Sequence, residues 1–412
     1  MKDAMDPGGT EAAAAGVEGA RCPGCGGDTL REFYALGAKP TNSCILLETQ
    51  AEADAYAVGQ LTLAFCDDCG FIFNPYFEAE KTEYSGRYEE TQGFSRTFSN
   101  FHRKMAEDLI ERHDLRGKDV LEIGCGKGEF LVLLAELGDN RGVGVDPVVH
   151  LDRIDSAAAD RLTFHKEFYD AEKHGGRKVD LVACKMTLEH IADVHGFLTE
   201  IRKGLGDQRD TVVFMQVPEA MRILREVAFE DIFYEHCSYF TPGSLARAFR
   251  AAGFDVHALE RTYGDQYLTI EARVAALDPA DRPAPLPLED DLDELRERVA
   301  AFPARVAAKI EEWRGLVERA HAAGERVVMW GSGSKAVAFL TTLGVEDKVH
   351  SVVDINPHKR GAYMPRTRQM IVAPEDLKEI RPDLVIIMNR IYEEEIGKDL
   401  ADLGLAPRLV SL

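Results

Sequence analysis

The chain has 412 residues, and at ~150 residues per domain we expect roughly two or three domains. Its composition is that of an ordinary globular protein. Forty-nine basic residues against 71 acidic ones give a formal net charge of −22, which argues against non-specific binding to nucleic acid or to an anionic membrane. A small-molecule partner is favoured instead.

The first segment, residues 1–20, is rich in glycine, alanine and acidic residues, and it lacks the apolar core of a signal peptide. No other stretch approaches the roughly 20 apolar residues of a membrane-spanning helix. We therefore expect a disordered tail and a cytoplasmic protein that does not bind membranes. The oligomeric state has no signal in the sequence.

The next segment, residues 21–78, contains two Cys-x-x-Cys pairs. Each pair is followed by a glycine, which lets the backbone turn so that its N–H groups face the thiolate sulfurs. Two such pairs can close a tetrahedral zinc site with four thiolate ligands and no open position for catalysis. We predict a structural zinc ion here, with a redox site or another metal as the alternative. The four ligands are Cys22, Cys25, Cys66 and Cys69.

Residues 79–280 are predicted to form the main domain. Its first part, residues 84–95, is aromatic and polar, and it precedes a helix near 98–113. Strand-like runs then alternate with helical runs, which indicates a doubly wound α/β sheet. The predicted strands span residues 119–123, 141–145, 162–165, 179–185, 211–217 and 267–274.

A glycine-rich loop follows the first of these strands. Gly124, Gly126 and Gly128 occupy every second position, and a helical pattern begins directly after them. This arrangement brings bare backbone close to a ligand at a helix N-terminus. The second strand ends in Asp146, at a distance along the chain that suits an acid accepting hydrogen bonds from a ribose.

The nearest alternative to this loop is a dinucleotide site, in which the third glycine lies three residues after the second. Here Glu129 has that position, and the third glycine comes one residue earlier. The Glu-x-Gly-x-Gly-x-Gly run that begins at Glu122 resembles motif I of the class I S-adenosylmethionine (SAM) methyltransferases. The resemblance implies a class I Rossmann-like core in which the loop lies against the amino-acid end of SAM and Asp146 holds the ribose.

Ligands of open parallel sheets bind beyond the carboxyl ends of the strands, and two segments of this chain emerge there. The first runs from Met186 to Ile191 and includes Glu189 and His190. We interpret it as the start of a helix that covers the cofactor, and we assign Met186 to the cofactor site.

The second segment follows the 211–217 strand and contains Tyr234, Glu235, His236 and Tyr239. A histidine of near-neutral pKa can remove a proton, and tyrosine hydroxyls can bind a developing enolate. A neighbouring carboxylate would fix the imidazole tautomer. The alternative is a partly buried Tyr/His pair that ties two helices together.

Residues 281–412 are predicted to form a second, smaller Rossmann-like domain after a proline-rich linker over 276–288. A long charged helix over 289–322 opens this domain, with Pro303 as a point of interruption. Strands are predicted at 326–330, 349–353 and 384–388, and residues 331–335 (Gly-Ser-Gly-Ser-Lys) open a helix. Because this loop has only two glycines, we interpret the domain as a packing domain with a vestigial loop. Contact with a nucleotide portion of the substrate is the alternative.

Taken in order, these features resemble the sugar C-methyltransferases of antibiotic deoxysugar pathways, which act on thymidine-diphosphate-linked 4-keto sugars. The resemblance covers residues 21–412. It implies that His236 deprotonates the carbon alpha to the sugar ketone, so that the carbanion takes the methyl group of SAM. The residues implied to act with it are Tyr234, Glu235 and Tyr239 of the motif, and Tyr84 and Tyr88 of the early aromatic segment.

The chain departs from that family where substrate is bound. Those enzymes tend to have His-Gly-Gly-Ser-Leu-Arg where this chain has residues 263–268 (Tyr-Gly-Asp-Gln-Tyr-Leu). We assign Asp265 and Gln266 to the substrate site, where they could bind an amine or a hydroxyl. The leading hypothesis is SAM-dependent C-methylation of a nucleotide-linked keto-deoxysugar. The alternatives are N- or O-methylation of another small metabolite in natural-product biosynthesis, and a non-catalytic zinc- and SAM-binding scaffold.

Overall fold

An antiparallel sheet forms the N-terminal part of this computed structural model, which describes residues 17, 19–83, 85–154 and 156–412. Strands β1 (Leu30–Pro40), β2 (Val58–Cys66) and β3 (Ile72–Phe73) pair in that order, and the short helix α1 (Gln50–Ala55) connects β1 to β2. Thr49 caps α1 by accepting a hydrogen bond from the Glu52 N–H group. The tail expected at residues 1–20 lies almost wholly outside the described residues.

The central domain is an α/β unit around a seven-stranded sheet. Its elements in chain order are α2 (Arg96–His113), β4 (Asp119–Ile123), α3 (Glu129–Gly138), β5 (Arg141–Val145), β6 (Leu162–His165), α4 (Ala171–His174), β7 (Leu181–Lys185), α5 (Val194–Leu205), β8 (Val212–Pro218), α6 (Ala220–Glu226), β9 (Ser238–Tyr239), α7 (Pro242–Ala251), β10 (Phe254–Thr262) and β11 (Tyr267–Val274).

The strands of this sheet lie in the order β10-β11-β8-β7-β4-β5-β6. The five from β4 to β8 are parallel, whereas β11 is antiparallel to β8 and β10 is antiparallel to β11. The order changes direction at β4, where β5 lies on one side and β7 on the other. This switch point is where open α/β sheets bind their ligands, and the glycine loop follows β4. The class I methyltransferase core expected from the sequence is thus present.

The C-terminal domain contains a parallel five-stranded sheet in the order β14-β13-β12-β15-β16. The long helix α8 precedes it and continues through Pro303, so the interruption expected there does not occur. The elements are α8 (Leu292–Ala322), β12 (Val327–Trp330), α9 (Ser334–Leu343), β13 (Ser351–Val353), β14 (Ile371–Val372), α10 (Leu377–Ile380), β15 (Leu384–Ile387), α11 (Glu393–Asp402) and β16 (Arg408–Ser411).

One hydrophobic core joins all three parts. It contains Phe65 of the N-terminal sheet, Phe229 of the central domain, Phe302 of α8 and Phe339 of α9, and each of these side chains is fully buried. Strand β9 also pairs with β3 and so completes the N-terminal sheet from the central domain. The three parts therefore hold one another in fixed relative positions. None of the helices in the described ranges is long and apolar enough to cross a membrane.

Candidate active site

The carboxyl ends of the central strands open onto a cavity of about 950 Å³. Its floor includes the glycine loop and the segments that follow β5, β7 and β8. Its opposite wall comes from the C-terminal domain, chiefly residues 330–335, 354–356 and 388–392. The central and C-terminal domains therefore form most of the cavity, and Cys44 and Phe77 of the N-terminal part complete its lining. Its size matches that of a cavity for a cofactor and a small substrate together.

The glycine loop adopts the conformation that its sequence indicates. Gly124, Gly126 and Gly128 all have positive φ angles, of 70°, 52° and 77°. A Cβ on Gly124 would lie 2.2 Å from the hydroxyl oxygen of Thr187, so the loop touches the segment after β7. Gly124 and Gly126 line the cavity. Gly128 does not; it instead packs against the Phe164 ring, 2.9 Å from where its Cβ would be.

Asp146 supports this loop directly. Its Oδ2 accepts a hydrogen bond from the Gly126 N–H group (2.9 Å), and its Oδ1 accepts one from Val148 N–H (2.7 Å). Asp146 and Met186 both line the cavity. The acid predicted to hold a ribose therefore lies beside the glycine loop and is fixed in orientation by backbone donors.

A buried group of charged and aromatic side chains lies beneath the same loop. Glu122 is buried, its Oε2 has no hydrogen-bond partner among the described residues, and burial raises its pKa to about 8. Lys185, the last residue of β7, lies with its Nζ 2.5 Å from His102 Nε2 and 4.5 Å from the centre of the Phe130 ring. Lys185 and His102 are not among the site residues predicted from the sequence, although a lysine at the carboxyl end of a strand is a visible signal.

Two histidines form the cavity wall near the centre. The rings of His190 and His236 are 4.8 Å apart and nearly perpendicular, and Phe233 packs 4.0 Å from the His236 ring. His190 donates from Nδ1 to the carbonyl oxygen of Glu235 (2.9 Å), which leaves the proton-accepting site of the neutral ring on Nε2. Burial lowers the pKa of His236 well below 6.5, and the neighbouring His190 lowers it further, so the His236 imidazole is neutral near pH 7.

Glu235 does not contact His236, contrary to the expected role of orienting its ring. The Glu235 carboxylate points away and accepts hydrogen bonds from Ser43 N–H (3.0 Å), Asn42 Nδ2 (3.2 Å) and the Tyr88 hydroxyl (3.2 Å). It is fully buried and lies outside the cavity lining. One oxygen of the Glu189 carboxylate lies within 4.8 Å of a ring nitrogen of His190 and of a ring nitrogen of His236.

The two motif tyrosines also lie outside the cavity lining. The Tyr234 hydroxyl accepts a hydrogen bond from Glu78 N–H (2.8 Å), and the ring packs directly under Gly59. The Tyr239 hydroxyl donates to the carbonyl oxygen of Phe233 (3.3 Å). Both were expected to meet the reacting substrate. Their rings are instead core side chains that fix the backbone on either side of His236.

The four substrate-binding predictions have different outcomes. Tyr88 lines the cavity and bonds Glu235. Gln266 also lines it, but its amide is paired with the Asn389 amide of the C-terminal domain (3.1 and 2.8 Å). Asp265 is exposed in the turn between β10 and β11, away from the cavity. Tyr84 lies outside the described residues.

The C-terminal loop repeats the geometry of the glycine loop. Asp354, at the end of β13, accepts hydrogen bonds from Ser332 N–H (3.0 Å) and Asn356 N–H (2.9 Å), much as Asp146 does from its own loop. However, the Asp354 carboxylate is also engaged by the Lys359 ammonium at 3.2 Å. Lys335 extends from the loop to Asp231 (2.8 Å). The loop thus faces the cavity with its charged side chains already paired.

The four predicted metal ligands converge at the edge of the N-terminal sheet. Sulfur-to-sulfur distances are 3.6 Å for Cys22 and Cys69 and 3.7 Å for Cys25 and Cys66. A zinc–sulfur bond of ~2.3 Å in a tetrahedron requires sulfurs roughly 3.8 Å apart. The N–H groups of Gly24 and Gly27 point at sulfurs of this cluster, each at 3.4 Å. The donor set therefore fits a tetrahedral thiolate-bound ion.

Comparisons with known proteins agree with this architecture. A family model described as "Methyltransferase domain" matches residues 96–259, and one described as "C-methyltransferase C-terminal domain" matches residues 289–405. The C-methyltransferase NovU of Streptomyces niveus is 28% identical over 395 residues, which cover 91% of this chain and 90% of that protein. The ubiquinone biosynthesis O-methyltransferase of Cupriavidus pinatubonensis is 32% identical over 160 residues, covering 34% of this chain and 62% of that protein.

Proposed function

This chain is an SAM-dependent methyltransferase that resembles the sugar C-methyltransferases, and we propose that it methylates a carbon atom of a nucleotide-linked keto-deoxysugar in natural-product biosynthesis. The observation that carries the proposal is that His236 and the glycine loop line the same cavity. A proton acceptor and a methyl donor must meet at one carbon for C-methylation, whereas transfer to a neutral amine has less need of a base.

In this proposal His236 acts as the general base. Its neutral imidazole takes the proton from the carbon alpha to the sugar ketone, and the electrons of that C–H bond form the enolate. SAM supplies an electrophilic methyl group, to which the carbon forms its new bond. The imidazolium of His236 then returns its proton to solvent. Burial and the neighbouring His190 disfavour the charged imidazolium, so the proton taken from the substrate is readily released from His236.

Supporting residues hold this base in place. The Tyr234 hydroxyl accepts a hydrogen bond from Glu78 N–H, and the Tyr239 hydroxyl donates one to the carbonyl oxygen of Phe233. The Asn74 N–H group also bonds the carbonyl oxygen of Cys237 at 2.9 Å. The site is therefore built on rigid elements. Proton transfer requires this rigidity, because it is slowed by small displacements of the base. Glu235 contributes by joining the N-terminal part to this segment rather than by touching the base.

We also propose a structural zinc ion held by the four N-terminal cysteines. All four positions of a tetrahedral ion would be filled by thiolates, so the ion would stabilise the fold and take no part in catalysis. Its module carries β3, which pairs with β9 directly after His236. The ion thereby supports the base through the sheet.

The nucleotide end of the substrate is proposed to lie against the C-terminal wall of the cavity. Ser334, Asn356 and Lys359 line that wall and offer hydrogen-bond donors. The keto-sugar end would then point toward His236. The reducing cytoplasm that the thiolate ligands require is the proposed location.

The test is a screen of nucleotide-linked keto sugars, amino acids and related metabolites, with SAM and mass detection of the methylated product. With an accepted keto sugar, His236→Ala should turn over ~10²–10⁴-fold more slowly while still binding S-adenosylhomocysteine (SAH). His165→Ala, at the end of β6 away from the cavity lining, is the matched control and should retain activity.

A second measurement addresses the base alone. With SAH in place of SAM, the wild-type enzyme in deuterated water should exchange the proton alpha to the ketone, and His236→Ala should not. Full activity of His236→Ala on the accepted substrate would overturn the role of this residue. Methylation only of amino acids or other metabolites would favour N- or O-methylation instead.

A further inference from the structure

The charged side chains of the cavity point to a subsite for an anion. Five lysine or arginine side chains line the cavity, and four of them already have a carboxylate within ion-pair distance. Those four pairs are Lys127 with Glu90, Arg222 with Glu226, Lys335 with Asp231, and Lys359 with Asp354. In the part of the chain that the structure describes, no carboxylate oxygen lies within 4.0 Å of the fifth, Lys185.

Lys185 is nonetheless held in one place by neutral groups. Burial holds the pKa of His102 far below its ordinary value, so that ring is neutral and its Nε2 accepts a hydrogen bond from the Lys185 ammonium. The Phe130 ring lies 4.5 Å away on another side, and His102 itself stacks on Phe130 at 5.1 Å. A partly buried ammonium that lacks an anionic partner is costly, because its lost hydration is only partly replaced. It is poised for an anionic ligand.

The position of Lys185 identifies which anion fits. The strand pairing places Glu122 of β4 opposite Ala183 of β7, so Lys185 lies beyond the carboxyl end of β4, next to the glycine loop. Thr187, two residues further on, touches Gly124. The amino-acid end of SAM lies against this loop in the class I fold, and it carries one carboxylate and one ammonium group. The nucleotide phosphates of the substrate would lie at the opposite, C-terminal wall.

We propose that Lys185, positioned by His102 and Phe130, binds the carboxylate of the methionine part of SAM. Glu122 lines the same cavity, and its Oε2, which has no hydrogen-bond partner among the described residues, would accept a hydrogen bond from the ammonium group of the same methionine part. This inference rests on the SAM dependence of the enzyme and is independent of the identity of its methyl acceptor.

The test compares SAH with its decarboxylated analogue, 5′-(3-aminopropylthio)-5′-deoxyadenosine, by titration calorimetry. The two ligands differ only in the carboxylate. The wild-type protein should bind SAH about 10- to 100-fold more tightly than the analogue, because a hydrogen bond to a charged group has that effect on affinity. Lys185→Met should bind both ligands with nearly equal affinity, and Lys185→Arg should retain part of the preference.

Lys335→Met is the matched control, since this lysine lines the same cavity but is paired with Asp231. It should keep the wild-type ratio of the two affinities. The proposal is overturned if Lys185→Met keeps that ratio, whether its two affinities are unchanged or weakened by the same factor, because the carboxylate would then lie elsewhere. Neither readout uses the methyl acceptor, so a failed sugar proposal leaves this test unaffected.

Discussion

At the scale of single residues, the side chains discussed above divide into those that line the cavity and those that pack in the interior. His236, Asp146 and Lys185 line the cavity, whereas Glu235 and Tyr234 face the interior. All five lie in or beside segments that end a strand or follow one. Residue type alone could not separate the two groups, because a buried tyrosine and a substrate-binding tyrosine look alike in a sequence.

Asp146→Ala should weaken SAH binding by about 1.5–3 kcal/mol, since it removes an acceptor for the ribose and frees the Gly126 N–H group. Calorimetric titration with SAH measures this directly. The matched control is Asp354→Ala, which removes the corresponding acid of the C-terminal loop and should leave SAH affinity unchanged. Equal losses in both variants would show that the assignment of the ribose to Asp146 is mistaken.

When SAH binds near pH 8, Lys185 should take up protons. Burial lowers the pKa of Lys185 from 10.5 to about 8, so part of the population has lost its charge at that pH. A bound carboxylate favours the ammonium form and raises the pKa again, which draws a proton from the buffer. Calorimetry in buffers of different ionisation enthalpy measures the uptake. Lys185→Met should show less uptake than wild type at pH 8; an identical value in both would contradict the carboxylate subsite.

At the scale of elements, the pairing of β3 with β9 connects the predicted zinc module to the segment of His236. Gly59 in β2 adds a second connection, because its missing side chain makes room for the Tyr234 ring. The segment of His236 is therefore held between a sheet from another part of the chain and the central domain. A small displacement of that sheet should therefore shift the position of His236.

Gly59→Ala should destabilise the protein by roughly 1–3 kcal/mol, because a Cβ there would lie only 2.2 Å from the Tyr234 ring. Urea denaturation monitored by tryptophan fluorescence measures the change. Gly333→Ala, where a Cβ meets no atom within 4 Å and φ is −85°, is the control and should be close to neutral. A neutral Gly59→Ala would mean that the ring has room to move.

Purified protein should contain about one zinc ion per chain, as the convergence of four thiol sulfurs predicts. Elemental analysis measures it, and Cys66→Ser should lose the metal and much of the thermal stability. Cys184→Ser, at a buried cysteine of β7 away from the cluster, should keep the metal. Gently purified wild-type protein without metal and with four free N-terminal thiols would refute the site.

Most of the strands of the central sheet can be predicted from the sequence, and the features that cannot be predicted have physical reasons. Strands β4 to β8 and β11 were predicted within about two residues, because most of them form short and largely apolar runs. Strand β10 was missed, since a register shift between Val256 and Ala258 interrupts its alternation. The direction of the Glu235 side chain could not be predicted, because its partners Asn42 and Ser43 lie almost 200 positions away.

At the scale of the whole molecule, all three parts of the chain contribute to the lining of the cavity. Glu235 joins all three parts, since its carboxylate accepts hydrogen bonds from Asn42, Tyr88 and Ser334. Glu395 of α11 caps the N-terminus of α2 by accepting from the Arg96 and Thr97 N–H groups. These contacts link the N-terminal, central and C-terminal parts around the cavity. The proposed reaction therefore requires the entire chain and not the central domain alone.

The central claim is that the methyl group is transferred to carbon. The most direct measurement is NMR of the methylated product. The keto sugar carries ¹³C in its ring, and SAM carries ¹³C in its methyl group. If the methyl group is transferred to carbon, the labelled methyl carbon should show a one-bond carbon–carbon coupling to the ring carbon next to the ketone. A labelled methyl group without that coupling, attached instead to oxygen or nitrogen, would contradict the central claim.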